Sequence, residues 1–234
     1  MPQLKQMSSP TIQGGRRGGC LRLEAVVFDY GMVLTGMPDK QSHDAMVRIV
    51  GLPPERFEEL YWADRHAYDE GKLSGITFWQ KLARDGGLHH LTQSTIQELN
   101  ALDARYWTTQ NPAMLAWHQQ LKAAGIKTGI LSNMGDAVLA SIEREFAWIH
   151  DFDAQIWSYQ LGIAKPDPAI YHAMLERLGV PAQHTLFLDD KQVNIDAANS
   201  LGMRGLLFTT VEKLREDLIT AGYDLPLPDA VSAQ

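Results

Sequence analysis

Leu23 to Phe28 predicts a strand, because Ala25, Val26, Val27 and Phe28 are apolar without a break. Apolar side chains on both faces suit a buried parallel strand rather than a half-exposed one. The run stops at Asp29-Tyr30-Gly31, where Gly31 permits a sharp turn. From about Gly36 to Asn111 the spacing becomes helical. Ala45, Met46, Ile49 and Val50 mark a first segment, and Pro53-Pro54 opens a second through Phe57, Leu60 and Tyr61. Ile76 to Ala83 is a third, after Ser74 or Thr77 as cap. Thr92 starts a fourth that carries Ile96, Leu99, Leu102 and Tyr106.

After Asn111-Pro112 the rhythm turns to βαβ. Asn111 caps a helix that Pro112 opens and Gly125 ends. Ile126 to Leu131 predicts a strand, Asp136 to Phe146 a helix and Ala154 to Trp157 a strand. Asp167-Pro168 starts a helix ending at Gly179, and Thr185 to Leu188 is the next strand. Asn194 to Leu201 predicts a helix, and Gly205 to Phe208 a last strand. Strands separated by single helices imply a parallel sheet covered on both faces. The expected fold class is α/β: a Rossmann-like parallel sheet core (residues 21–35 and 112–234) with an inserted all-helical cap domain (36–111). Residues 1–20, with Gly14, Gly15, Gly18 and Gly19 around Arg16 and Arg17, predict a flexible tail.

Composition narrows the function. Lys and Arg number 21 against 28 Asp and Glu in 234 residues, for a net charge of −7. That balance argues against a nonspecific grip on nucleic acid, but not against a small anionic substrate, whose site is local. Cys20 is the sole cysteine, so an intramolecular disulfide and a Cys-based zinc site are excluded. No apolar run approaches the ~20 residues that span a bilayer, and the chain start has no apolar signal region; the expected location is cytoplasmic.

Ligands of open parallel sheets bind at the carboxyl ends of the strands. Asp29 ends the first predicted strand, Ser132 and Asn133 the second, and Asp189 and Asp190 follow Leu188. Lys165 stands nearby, before Pro166. Converging carboxylates repel, and a divalent cation relieves that; hard oxygen ligands suit Mg²⁺. An Asp can also attack phosphorus as a nucleophile, provided cations cancel the repulsion between two anions.

These four elements, in this order, resemble the motifs of the haloacid dehalogenase-like hydrolase superfamily. The helical insert resembles the cap of the subgroup that includes phosphoglycolate phosphatase and 2-haloacid dehalogenase. The resemblance implies Asp29 as nucleophile and metal ligand, with the Gly31 carbonyl as a second ligand. Asp190 would be the main acidic ligand, and Asp189 would bind metal-bound water. Ser132 would bind phosphate with Asn133 beside it, and Lys165 would bridge nucleophile and phosphoryl group. Asn194 matches an Asp-Asp-x-x-x-Asn pattern, but reads first as a helix cap.

One position departs from the family. Most of its phosphatases carry a second Asp, as general acid and base, where this chain has Gly31. His43 and His66 are candidate replacements from the insert, and Trp62 and Trp79 are candidates to line a substrate pocket. The resulting expectation is a Mg²⁺-dependent phosphatase of a small phosphorylated metabolite, through an aspartyl-phosphate on Asp29. The rivals are a metal-free 2-haloacid dehalogenase, which the Asp189-Asp190 pair disfavours, and a non-catalytic phospho-ligand binder.

Overall fold

The computed structural model describes residues 22–229; the expected tail and Cys20 lie outside them. Five parallel strands form one sheet among the described residues: β1 (Ala25–Phe28), β2 (Lys127–Ser132), β3 (Ala154–Trp157), β4 (Thr185–Asp189) and β5 (Arg204–Leu207), in the order β3-β2-β1-β4-β5. β1 lies at the centre. Phe28 pairs in register with Ile130 on one side and Leu188 on the other, so the residues that follow all three strands share one edge.

Between β1 and β2 lie α1 (Lys40–Val50), α2 (Pro54–Ala63), α3 (Arg65–Asp69), α4 (Gly75–Asp85) and α5 (Gln93–Tyr106). α6 (Pro112–Ala123) then leads into β2, and the rest of the chain adds α7 (Asp136–Glu145), α8 (Ser158–Leu161), α9 (Pro168–Leu178), α10 (Gln192–Ser200) and α11 (Val211–Ala221). Local chemistry accounts for many ends. Ser74 caps α4 reciprocally with Thr77, Thr92 caps α5, and Asn111 caps α6 with Pro112 in its first position. Gly179 closes α9 at φ 64°.

Side chains alternate across β1. Val26 and Phe28 join Trp117 and Leu121 of α6 and Leu214 and Leu218 of α11. Ala25 and Val27 join Ile170 and Met174 of α9 and Ile195 and Ala198 of α10. Both faces are thus covered, as the unbroken apolar run requires.

Three elements go beyond the sequence expectation. The one-turn helices α3 and α8 are too short for a hydrophobic period. α11 follows the last strand, capped by Thr210. The expected sharp turn at Gly31 is also corrected. Gly31 is extended (φ −66°, ψ 134°), and the left-handed residue is Met32 (φ 62°). The conformation is held by Thr35, whose N–H donates to the Tyr30 carbonyl at 3.0 Å and whose Oγ1 accepts the Met32 N–H at 3.2 Å.

His118 of α6 gives a pH prediction. Its ring is buried flat against Phe152, 3.8 Å between centroids, with Thr128 Oγ1 3.1 Å from Nε2. Burial, with Lys122 nearby, pushes its pKa from 6.5 down to about 4. Between those values the unfolded chain takes up a proton that the folded chain refuses, so stability falls as pH drops through that window. At about 1.4 kcal/mol per pKa unit, the loss reaches about 3 kcal/mol near pH 4. Urea unfolding of wild type should therefore weaken more steeply from pH 7 to 4 than that of His118→Gln. Equal slopes would contradict this.

Candidate active site

The edge shared by β1, β2 and β4 gathers the chemistry. Asp29 follows β1 and is buried, with its Oδ1 accepting the Tyr30 N–H at 2.7 Å. Lys165 arrives on the loop after α8, and the side chain is 1% exposed. Its Nζ lies 3.0 Å from Asp29 Oδ1 and 2.7 Å from Asp189 Oδ2. A buried ammonium between two carboxylates stays charged: burial works against it, but Asp29 and Asp189 outweigh that and raise its pKa above the ordinary lysine value.

Each supporting residue has a defined task. Asp189 Oδ1 accepts the Lys191 N–H at 2.9 Å, and Asn194 Nδ2 donates to both Asp189 oxygens at 2.9 and 3.0 Å. This corrects the helix-cap reading of Asn194. The residue sits inside the first turn of α10, and Lys191 occupies the cap position without a side-chain cap bond. Asn133 grips the backbone of Lys165: Oδ1 accepts its N–H at 2.8 Å and Nδ2 donates to its carbonyl at 2.9 Å. Its amide thus positions the lysine. Ser132 is buried at the end of β2 and borders the cavity described next.

A cavity of about 540 Å³ opens above this edge. Asp29, Gly31, Ser132, Lys165 and Asp190 form its floor, and Trp62, Arg65, His66, Asp69 and Trp107 form part of its roof. Of the two tryptophans expected there, Trp62 lines the cavity. Trp79 does not: it is fully buried, with its Nε1 donating to Asn100 Oδ1 at 2.9 Å. Of the two histidines, His66 borders the cavity, whereas His43 pairs with Glu58 and packs against Phe57 and Tyr106.

The roof also holds a charged group that sequence reading does not single out. Arg65 is buried and serves two carboxylates. Nη1 donates to Asp103 at 2.9 and 3.1 Å, and Nε to Asp69 Oδ1 at 3.0 Å. The Tyr61 hydroxyl donates to Asp103 at 2.6 Å, and Tyr61, Tyr68 and Trp107 offer ring faces to the guanidinium. Only the Arg65-Asp69 spacing hints at this group in the sequence; Asp103 is remote along the chain.

The floor is short of positive charge. Asp29, Asp189 and Asp190 carry −3 if all are ionised, and Lys165 returns +1. Burial is the largest influence on Asp29 and, opposed by Lys165 and aided by Asp189, lifts its pKa to about 6. Burial and Asp189 likewise raise that of Asp190. Carboxylate oxygens of these three residues lie within 4.8 Å of one another. That donor set, hard oxygens that outnumber the cations Lys165 and Lys191 beside them, fits Mg²⁺.

This acidic cluster, with a lysine inside it, lies at the carboxyl ends of parallel strands, where the ligands of such sheets bind. Residues 23–202 match the haloacid dehalogenase-like hydrolases, and the chain belongs to that family. It is 29% identical over 206 residues to the phosphatase MT3486 of Mycobacterium tuberculosis, covering 85% of this chain and 93% of that one. It is also 29% identical over 204 residues to (S)-2-haloacid dehalogenase 1 of a Pseudomonas species, covering 83% and 88%. Among solved structures, a haloacid dehalogenase family enzyme of Bacteroides thetaiotaomicron, in complex with magnesium and inorganic phosphate, shares the fold. Its TM-score is 0.66 at 19% identity, over 80% of this chain and 94% of that one. No described helix is long and apolar enough to cross a membrane.

Proposed function

We propose that this chain is a Mg²⁺-dependent phosphatase of a small phosphorylated metabolite, with residues 36–111 as the cap over its site. One observation carries the reading: Asp29 is held 3.0 Å from a buried lysine in an acidic cluster whose carboxylates outnumber the cations beside them. A divalent cation offsets that negative charge and lets an anionic phosphoryl group approach Asp29; an uncharged ligand does neither.

The residues divide the work. Lys165 keeps Asp29 anionic against its burial, and Asp189 and Asn194 hold Lys165 and each other in place. Asp29 attacks phosphorus in line, and the bond to the alcohol oxygen breaks. The Ser132 hydroxyl donates to a phosphoryl oxygen. Water then attacks the phosphorus of the aspartyl-phosphate, which frees Asp29 and inorganic phosphate. Asp29, Asp190 and the Gly31 carbonyl would hold Mg²⁺, with Asp189 behind them; when bound, it supplies positive charge against the phosphoryl oxygens.

The kinship to a named phosphatase supports this reading, and the kinship to a named dehalogenase supports the alternative, attack of Asp29 on carbon. The charge deficit favours the phosphatase, because a metal-free reaction at carbon has no use for Asp190. Metal removal separates them. With p-nitrophenyl phosphate, EDTA should collapse turnover and excess Mg²⁺ should restore it. Chloride release from 2-chloropropionate in EDTA, without phosphatase activity, would reverse the assignment.

A further inference from the structure

A departing alkoxide needs a proton, and Gly31 has none to give. The roof of the cavity holds a carboxyl that does. We propose that Asp69 of α3 is the general acid and base of this reaction, acting on the leaving-group oxygen from the cap side; this rests on the phosphatase reading above.

The geometry ties Asp69 to the catalytic floor. Its carbonyl accepts a hydrogen bond from Ser158 Oγ, and Ser158 Oγ in turn accepts the Met134 N–H at 2.9 Å. Two hydrogen bonds thus join Asp69 to the loop that bears Ser132 and Asn133. The neighbouring Tyr68 ring lies directly on Gly135 of that loop, where an added Cβ would sit 2.2 Å from it. The side chain of Asp69, 14% exposed, borders the same cavity as Asp29 and Lys165. Opposite, Gly31 leaves its space open, with nothing within 4 Å of an added Cβ.

The charge arrangement leaves a proton to Asp69. Arg65 carries one charge for two carboxylates, and it gives Asp103 two contacts and Asp69 one. Burial, opposed by Arg65 and aided by Asp103, lifts the Asp69 pKa to about 6, with Lys191 across the cavity pulling the other way. A group titrating near working pH serves as both acid and base. His66, on the same helix, also borders the cavity but is exposed, with its Nε2 3.8 Å from Glu70.

The proton balance closes. As Asp29 bonds to phosphorus and the ester P–O bond breaks, the Asp69 proton passes to the alkoxide, which leaves as alcohol. The ionised Asp69 then takes a proton from the attacking water while the bond from phosphorus to Asp29 breaks. Phosphate leaves, and both residues return to their starting states.

The test compares leaving groups. Asp69→Asn should lower kcat for a simple alkyl phosphate by about 10²–10³-fold. For p-nitrophenyl phosphate, whose leaving group needs no proton, the pre-steady-state burst of p-nitrophenol should slow less than about threefold; only its steady rate, which includes the hydrolysis that Asp69 serves as base, should fall. Asp69→Glu, which keeps the acid, should recover part of the alkyl turnover. An aryl burst slowed as much as alkyl turnover would make Asp69 a structural partner of Arg65, and no loss on either ester would also overturn the proposal; in both cases the phosphatase reading stands. Wild type inactive on both esters would sink that reading and this one together. If Asp69→Asn does not fold, wild type decides. Alkyl turnover should fall about tenfold per pH unit above the Asp69 titration while aryl turnover holds; parallel profiles overturn the proposal.

Discussion

Asp29→Asn should reduce phosphate-ester turnover by about 10⁴-fold or more, the scale seen when a nucleophile is removed. Asparagine keeps the shape of the side chain but cannot form an acyl phosphate. The fold should not suffer. Burial raises the Asp29 pKa to about 6, so the folded state disfavours its charge, and Asp189 still partners Lys165 at 2.7 Å. The variant should therefore melt at or above the wild-type temperature in EDTA. A variant that is active would remove Asp29 from the chemistry; one that is unfolded would show that Asp29 is needed for structure.

Lys165→Met should cost both activity and stability. The side chain is 1% exposed and stands between Asp29 and Asp189. Methionine fills the volume but leaves two buried carboxylates without their shared cation, a loss of about 3–5 kcal/mol. Asp29 would then hold its proton at neutral pH, and the phosphoryl group would lose a charged donor, for about 10³-fold in turnover. Mg²⁺ should restore part of the stability, since it relieves the same repulsion, but little of the activity, since it does not replace the donor. Urea unfolding with and without Mg²⁺, beside kcat, reads both effects. A variant as stable as wild type in EDTA would mean that the charge deficit at this edge is not real.

What the sequence makes legible follows from the range of the signal. The unbroken apolar run of β1 and the βαβ rhythm after Asn111 are local patterns, and they place Asp29, Ser132, Lys165 and the Asp189-Asp190 pair at one sheet edge. The caps at Ser74, Thr92 and Asn111 are equally local. The one-turn helix α3 has no period to reveal it. α11 is legible in principle, since Val211, Leu214 and Leu218 form a stripe after Thr210, but no later strand frames it. The pairing of Arg65 with Asp103 and the tether from Asp69 through Ser158 to Met134 span remote segments and depend on how the insert docks. Asn194 shows the same limit: a polar residue near a helix start reads as a cap, and only the approach of α10 to β4 turns it onto Asp189. Gly31 likewise reads as the residue that makes the turn, whereas Met32 takes the left-handed conformation and Gly31 leaves open space.

A nucleophilic Asp29 becomes covalently phosphorylated during turnover. The direct measurement is a rapid acid quench of the enzyme turning over p-nitrophenyl phosphate in Mg²⁺, followed by peptide mass spectrometry. The peptide containing Asp29 should carry the added mass of one phosphoryl group, absent in EDTA and absent from Asp29→Asn. Steady turnover with that peptide unmodified, or with the phosphoryl group on another residue, would contradict it.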